Sequence, residues 1–277
     1  MLLDEGRVWM TEQAASRPDA HNVVGQVEVA EVAKVGAARI KAIAFDFDDT
    51  LVKLPIEWQH VMADYFVVEI FADTLPAGER AAEVLKVRDQ IRAASGTPLT
   101  EFMCDLRRRV QDVGITRPAE VGDYRDRFDR LWQRLTARLH RPEHLTPGAG
   151  ALLELLSQRS IPTFLVTGGD LDHKLAAVRS LGVGRHFPAD RVCGDVMAPG
   201  SAPFSKAAAL QAIDDRVRGD VPPATPVVAF IADGRRDMVA ARTAGALGVG
   251  FNQAEDADVR VIGEGFPAPA VLRVLCR

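Results

Sequence analysis

Cysteine is scarce in this chain of 277 residues. Cys104, Cys193 and Cys276 are the only three, and no pair has a C-x-x-C spacing. An odd count without that spacing argues against a disulfide framework or a structural zinc site, and it fits a reducing, cytoplasmic setting. Long apolar runs are also missing; none approaches the ~20 residues that a membrane span needs. The opening stretch, MLLDEGRVWMTEQ, has neither the basic nor the apolar region of a signal peptide. Positive charge is not in excess: the formal net charge is -4. Nucleic acid is therefore a poor candidate partner, because a basic face supplies most of that affinity. Lysine is rare, with only Lys34, Lys41, Lys53, Lys86, Lys174 and Lys206 among 34 basic residues. Chemistry that needs an ammonium group has few places to find one.

What is present is ordinary globular material: 47% apolar and 26% charged residues. The length suits one α/β domain with a smaller second one. Residues 1–37 carry no strong pattern, although Val27, Val29 and Val32 would suit a short strand or a helix. Lys41 to Phe45 reads as a buried parallel strand. From Leu54 to His144 the apolar spacing becomes helical, in stripes led by Trp58, Leu99 and Tyr124, and three such stripes can close into a small bundle. Thr97-Pro98 suits a helix start. After Pro147-Gly148 strands alternate with helices: strands at 163–166, 191–193, 227–232 and 247–251, helices at 149–158, 171–181, 205–213 and 236–244. That alternation predicts an α/β fold, a Rossmann-like doubly wound parallel sheet, formed by residues 38–53 and 145–277. The helical stretch 54–144 is inserted after its first strand.

Ligands of parallel sheets bind at the carboxyl ends of the strands. The first strand ends in Asp46-Phe47-Asp48-Asp49-Thr50, the second in Thr167-Gly168-Gly169. The third is followed, across a loop, by Ser205-Lys206. The fourth ends in Asp233-Gly234-Arg235-Arg236-Asp237. Several carboxylates at one edge repel one another, and a divalent cation removes that problem. Oxygen ligands without His or Cys suit Mg²⁺. Lys206, the Thr167 hydroxyl and the amides of the Gly168-Gly169 turn suit phosphate oxygens instead. A carboxylate at Asp46 can attack phosphorus. Asp48, two residues on, can protonate the leaving oxygen and later activate water.

In these motifs the sequence resembles the haloacid dehalogenase superfamily, on its phosphatase side. Asp46, Asp48 and Thr50 match the first motif of that family, Thr167 the second, Lys206 the third, and Asp233 with Asp237 the fourth. The resemblance covers about residues 40–53 and 145–270. The stretch between resembles the helical cap of phosphoglycolate-phosphatase-like members. It implies a Mg²⁺-dependent phosphatase acting through an aspartyl-phosphate on a small phosphorylated metabolite. Asp46 would be the nucleophile and Asp48 the acid/base; Thr167, Gly168 and Lys206 would hold the phosphoryl group. The metal would lie on Asp46, the Asp48 backbone carbonyl and Asp233, with Asp237 directly or through water. The FSK and GTPLTEF stretches resemble family members of carbohydrate-phosphate metabolism, which implies a sugar or polyol phosphate as the first expectation for substrate; phosphoglycolate is the second. Three departures stand out: Asp49 where glycine is common, Ala232 before Asp233, and no proline after Lys206.

Plainer readings compete. Asp46, Asp48, Thr167 and Asp233 can all end strands or start helices without touching a ligand. Lys174 rivals Lys206, but seven residues past Thr167 it should stand two helical turns away. Glu57, Trp58 and His60 open the first inserted helix and suit solvent or core, and Arg107-Arg108-Arg109 suits a solvated helix face. A phosphomutase of the same superfamily would use the same residues; a non-catalytic phosphate- or partner-binding relative would be expected to lack one of the motif aspartates, and none is missing here.

Overall fold

The computed structural model describes residues 3–4, 7–11, 25–30, 32–56, 58–71, 76–93, 104–105, 108, 121–195, 204–252, 254 and 256–276. Their strands are β1 (Leu3–Asp4), β2 (Arg7–Thr11), β3 (Gly25–Val29), β4 (Ala42–Phe45), β5 (Thr163–Asp170), β6 (Val192–Asp195), β7 (Val228–Ala232), β8 (Leu247–Phe251) and β9 (Val259–Gly263). The helices are α1 (Val32–Ala37), α2 (Trp58–Phe71), α3 (Ala77–Ala93), α4 (Val121–Thr136), α5 (Ala149–Gln158), α6 (Leu171–Ser180), α7 (Lys206–Val217), α8 (Arg235–Thr243) and α9 (Ala268–Leu275).

All nine strands form one sheet in the order β1-β2-β3-β9-β8-β7-β4-β5-β6. From β9 to β6 the neighbours run parallel, and β3, β2 and β1 continue the sheet antiparallel. Alternate residues of β4 serve opposite faces. Ile43 and Phe45 join a core with α5 and α9, through Leu152, Leu156, Val271 and Leu275. Ala42 and Ala44 join a second core with α7 and α8, through Leu210, Ile213, Met238 and Ala241. A strand buried on both faces has to be apolar throughout, and AIAF is. The expected α/β fold, a doubly wound sheet, is thus the observed one.

The helices inserted between β4 and β5 have a core of their own, in which Met62 and Phe66 of α2 meet Val87 and Ile91 of α3 and Phe128 and Trp132 of α4. Two linkers lead into and out of this insertion side by side. Val52 bridges Leu145, Lys53 N donates to the His144 carbonyl at 2.9 Å, and the Thr146 hydroxyl donates to the Thr50 carbonyl at 2.6 Å.

Several elements differ from the sequence reading. The unpatterned residues 25–29 form β3, held by pairing to β9 with Val27 opposite Val261. Helix α3 is real although its apolar stripe is thin: among its described side chains only Val87 and Ile91 are fully buried. Strand β5 runs to Asp170, four residues beyond the expected end. The stripe from Leu99 to Val113, the Thr97-Pro98 start and most of the arginine run lie outside the described residues.

Candidate active site

The sheet order explains why distant motifs meet. β4 lies between β7 and β5, so the tips that carry Asp46, Asp233 and Thr167 are adjacent. Asp46 N donates to the Ile231 carbonyl at 2.9 Å, tying the first tip to β7. The backbone then turns over, with Leu51 N and Val52 N both donating to the Phe47 carbonyl. This turn lifts Asp48 off the strand line. One cavity of about 650 Å³ is lined by Asp46, Asp48, Thr167, Gly168, Lys206, Asp233 and Asp237 together. The structure brings all seven sequence-predicted site residues to this one place.

Lys206, the first residue of α7, holds two of these carboxylates. Its Nζ lies 2.8 Å from Asp46 Oδ1 and 2.6 Å from Asp237 Oδ1. Burial works against the charge on Lys206, but the attraction of Asp237 and Asp46 outweighs it and holds the ammonium above its ordinary value. Asp46 is pushed up to about 7, by burial first; Lys206 opposes that rise and Asp237 adds to it. Asp233 is raised well above the usual carboxylate range by burial and by Asp46, Asp49 and Asp237. The Thr50 hydroxyl donates to Asp233 Oδ1 at 3.2 Å, so Thr50 orients a carboxylate from outside the cavity lining.

Single carboxylate oxygens of Asp46, Asp233 and Asp237 lie within 4.8 Å of one another. Lys206 contacts two of these three carboxylates, which leaves negative charge that a divalent cation would neutralise. Oxygen-only donors at this spacing suit a hard ion.

Lys174 is a cavity residue that the sequence reading set aside. Its Nζ donates to Asp48 Oδ2 at 2.7 Å and sits 4.2 Å from the centre of the Phe47 ring. The side chain is almost wholly buried. Because β5 stays extended to Asp170, α6 starts at Leu171, and Lys174 stands on its first turn rather than its second. Helical side chains lean toward the N-terminus, which aims this one at the strand tips. The lysine within four residues of Asp170, the helix N-cap, was the signal available. Gly169 leaves room for it: a Cβ there would lie 2.6 Å from Lys174 Cε.

The helix start falls at Leu171, where the sequence reading placed it. The carboxylate of Asp170 caps α6, accepting from His173 N at 2.8 Å, so the helix does not open at the glycine pair. Gly169 N donates to Thr167 Oγ1 at 3.3 Å, which leaves the Thr167 hydroxyl hydrogen free to donate into the cavity. Near Lys174, burial followed by the lysine's charge pulls His173 and His140 down to about 4. Both imidazoles are neutral at pH 7.

Asp49, where the resemblance leads one to expect glycine, adopts φ 57°. The left-handed region penalises side chains with a Cβ, aspartate less than most. Asp49→Gly is therefore expected to stabilise the fold by about 0.5–1 kcal/mol once glycine's extra unfolded-state freedom is subtracted. It also removes one of the charges that raise Asp233. Urea denaturation checks this; a lower midpoint for the variant would contradict it.

A family profile described as haloacid dehalogenase-like hydrolase matches residues 40–245. The chain belongs to that family. No curated protein sequence gives a significant match. Solved structures of similar fold include a β-phosphoglucomutase from Clostridium difficile, at TM-score 0.62 and 14% identity, covering 86% of this chain and 97% of that one. A family IA haloacid dehalogenase-type hydrolase from Entamoeba histolytica has TM-score 0.55 at 15% identity, covering 78% and 86%. A protein from Haemophilus somnus described as a predicted phosphoglycolate phosphatase has TM-score 0.52 at 19% identity, covering 77% and 86%. At these identities the likeness is one of fold. In this haloacid dehalogenase-like hydrolase the acidic cluster of Asp46, Asp233 and Asp237 stands on a fold shared with a β-phosphoglucomutase and a predicted phosphoglycolate phosphatase. Among the described residues no helix is long and apolar enough to cross a membrane.

Proposed function

We propose that this protein is a Mg²⁺-dependent phosphatase that hydrolyses a small phosphomonoester. The supporting observation is the single cavity in which Asp46, Asp48, Thr167, Lys206 and the Asp233–Asp237 pair converge. Asp46 attacks phosphorus with a carboxylate oxygen, and the bond from phosphorus to the leaving oxygen breaks. Asp48 gives that oxygen its proton. Water, deprotonated by Asp48, then attacks the phosphorus of the aspartyl-phosphate; inorganic phosphate leaves and Asp46 is regenerated. Lys206, the Thr167 hydroxyl and the Gly168 backbone hold the phosphoryl oxygens, and Lys174 holds Asp48 in place between the two proton transfers. Asp46, Asp233, the Asp48 carbonyl and Asp237 would hold the magnesium ion. When bound, it supplies positive charge that lets one anion attack another. The inserted helices act as a lid whose paired linkers form the hinge.

Phosphate release from a panel of phosphorylated sugars, nucleotides and small acids, with Mg²⁺ and with a chelator, tests this reading. Release only with the metal is the expected result. A phosphomutase would instead need a bisphosphate activator and release little free phosphate, and a non-catalytic relative would release none. Magnesium should also stabilise the protein more at pH 8 than at pH 5.5. Burial pushes Asp46 in the folded protein up to about 7, well above the ordinary carboxylate range. Its ionisation therefore removes stability as pH rises through 7, and the cation restores it. A thermal shift of equal size at both pH values would count against metal binding at Asp46.

A further inference from the structure

The part of the cavity facing away from the strand tips is built by the inserted helices: Trp58 opens α2, Ile91 comes from α3, and Phe128, Asp129, Trp132 and Gln133 come from α4. Four of these six are apolar and three are aromatic. Two of the chain's three tryptophans are among them, in a protein whose aromatic content is only 6%. The rings of Phe128 and Trp132 lie 6.5 Å apart with planes 11° from parallel. Among the described residues, this wall has no lysine or arginine. That is not for want of them: Arg127, Arg130 and Arg134 sit on the same helix, and all three are exposed.

We infer that the leaving group of the substrate carries a flat aromatic ring, bound against Trp58, Phe128 and Trp132 with one edge hydrogen-bonded to Asp129 and Gln133. This inference rests on the phosphatase reading and narrows it. On this wall a sugar or polyol would set its row of hydroxyls against apolar side chains, with only Asp129 and Gln133 as polar partners, and unpaired polar groups bind poorly. A second anion, as in phosphoglycolate or a bisphosphate, would meet the Asp129 carboxylate and no cation on this wall. Aromatic faces favour a π-surface lying against them. The cavity volume is in the range that encloses a ring-sized ligand.

The test uses esters of primary alcohols, so that leaving-group acidity is similar across the set. Riboflavin 5′-phosphate, pyridoxine 5′-phosphate and adenosine 5′-monophosphate are compared with glucose 6-phosphate, glycerol 3-phosphate and phosphoglycolate. At least one ring-bearing ester should exceed every polyol ester in kcat/KM by about tenfold or more, and Trp132→Leu should remove most of that ratio. Equal or better turnover of the polyol esters would overturn the inference and leave the phosphatase reading standing. A second measurement separates the two failures. In Asp46→Asn protein, ring-bearing phosphates should quench tryptophan fluorescence at concentrations where glycerol 3-phosphate does not. Quenching with no turnover of any ester by the unaltered protein would support the ring site and sink the hydrolase. Absence of ring-selective quenching would overturn the ring site.

Discussion

An Asp46→Asn variant is expected to lose phosphatase activity by a factor on the order of 10⁴ or more while keeping its fold. The amide is nearly the same size as the carboxylate, so the pocket is not disturbed sterically. It also removes one of the crowded negative charges, and Asp46 is a group whose ionisation burial opposes. Stability in the absence of metal should therefore hold or rise, most clearly above pH 7, where the native carboxylate is charged. Loss of activity together with a raised melting temperature would be hard to ascribe to misfolding. Unchanged phosphate release would rule Asp46 out as nucleophile.

Lys206→Met should give the opposite pairing, with loss of activity and loss of stability together. Removing a preorganised cation from the developing phosphoryl charge is expected to lower kcat about 10²–10³-fold. The same change leaves Asp46 and Asp237 facing each other without the ammonium that both now contact at under 3 Å. Breaking a buried pair by removing one partner typically costs about 3–5 kcal/mol. The sign of the pH dependence follows from Asp46, whose folded value already lies above its ordinary one. Below about pH 4 the carboxyl is protonated in both folded and unfolded chains, and the missing lysine matters least. As pH rises through 7 and beyond, the variant must carry an unneutralised charge. The gap in melting temperature between variant and parent should accordingly widen from pH 5 to pH 8, and added Mg²⁺ should narrow it. A gap independent of pH would mean that Lys206 acts through packing instead.

The sequence revealed the fold through the strands buried on both faces, since AIAF and VAFIA allow no polar residue where helices cover each side. The grouping of Asp46, Thr167, Lys206 and Asp233 was legible for a related reason: a parallel sheet gathers the carboxyl ends of its strands at one edge, whatever the distance between them in sequence. Lys174 was not legible by counting residues. Its position depends on where β5 gives way to α6, and boundaries of that kind are set by a cap such as Asp170 rather than by apolar period. Strand β3 was obscure because it is held by pairing on both sides and by the core, and its partner β9 lies 230 residues or more away in sequence. The aromatic wall was dispersed over three helices, so Trp58 and Trp132 each read as ordinary helix core.

The pairing of β3 with β9 has a consequence for how the molecule is made. Gly25 is matched with Gly263, so a segment synthesised near the start must wait for one synthesised near the end. Closing such a loop carries an entropic penalty and slows assembly. On the ribosome, β4 to β8 can associate while residues 25–29 still lack their β9 partner, with an exposed strand edge on each side of the eventual join. Edges of that kind invite intermolecular pairing. Chains stalled or truncated before Val259 should therefore be the aggregating species in an expression culture, and a chaperone that shields β-edges should raise the yield of the full-length protein.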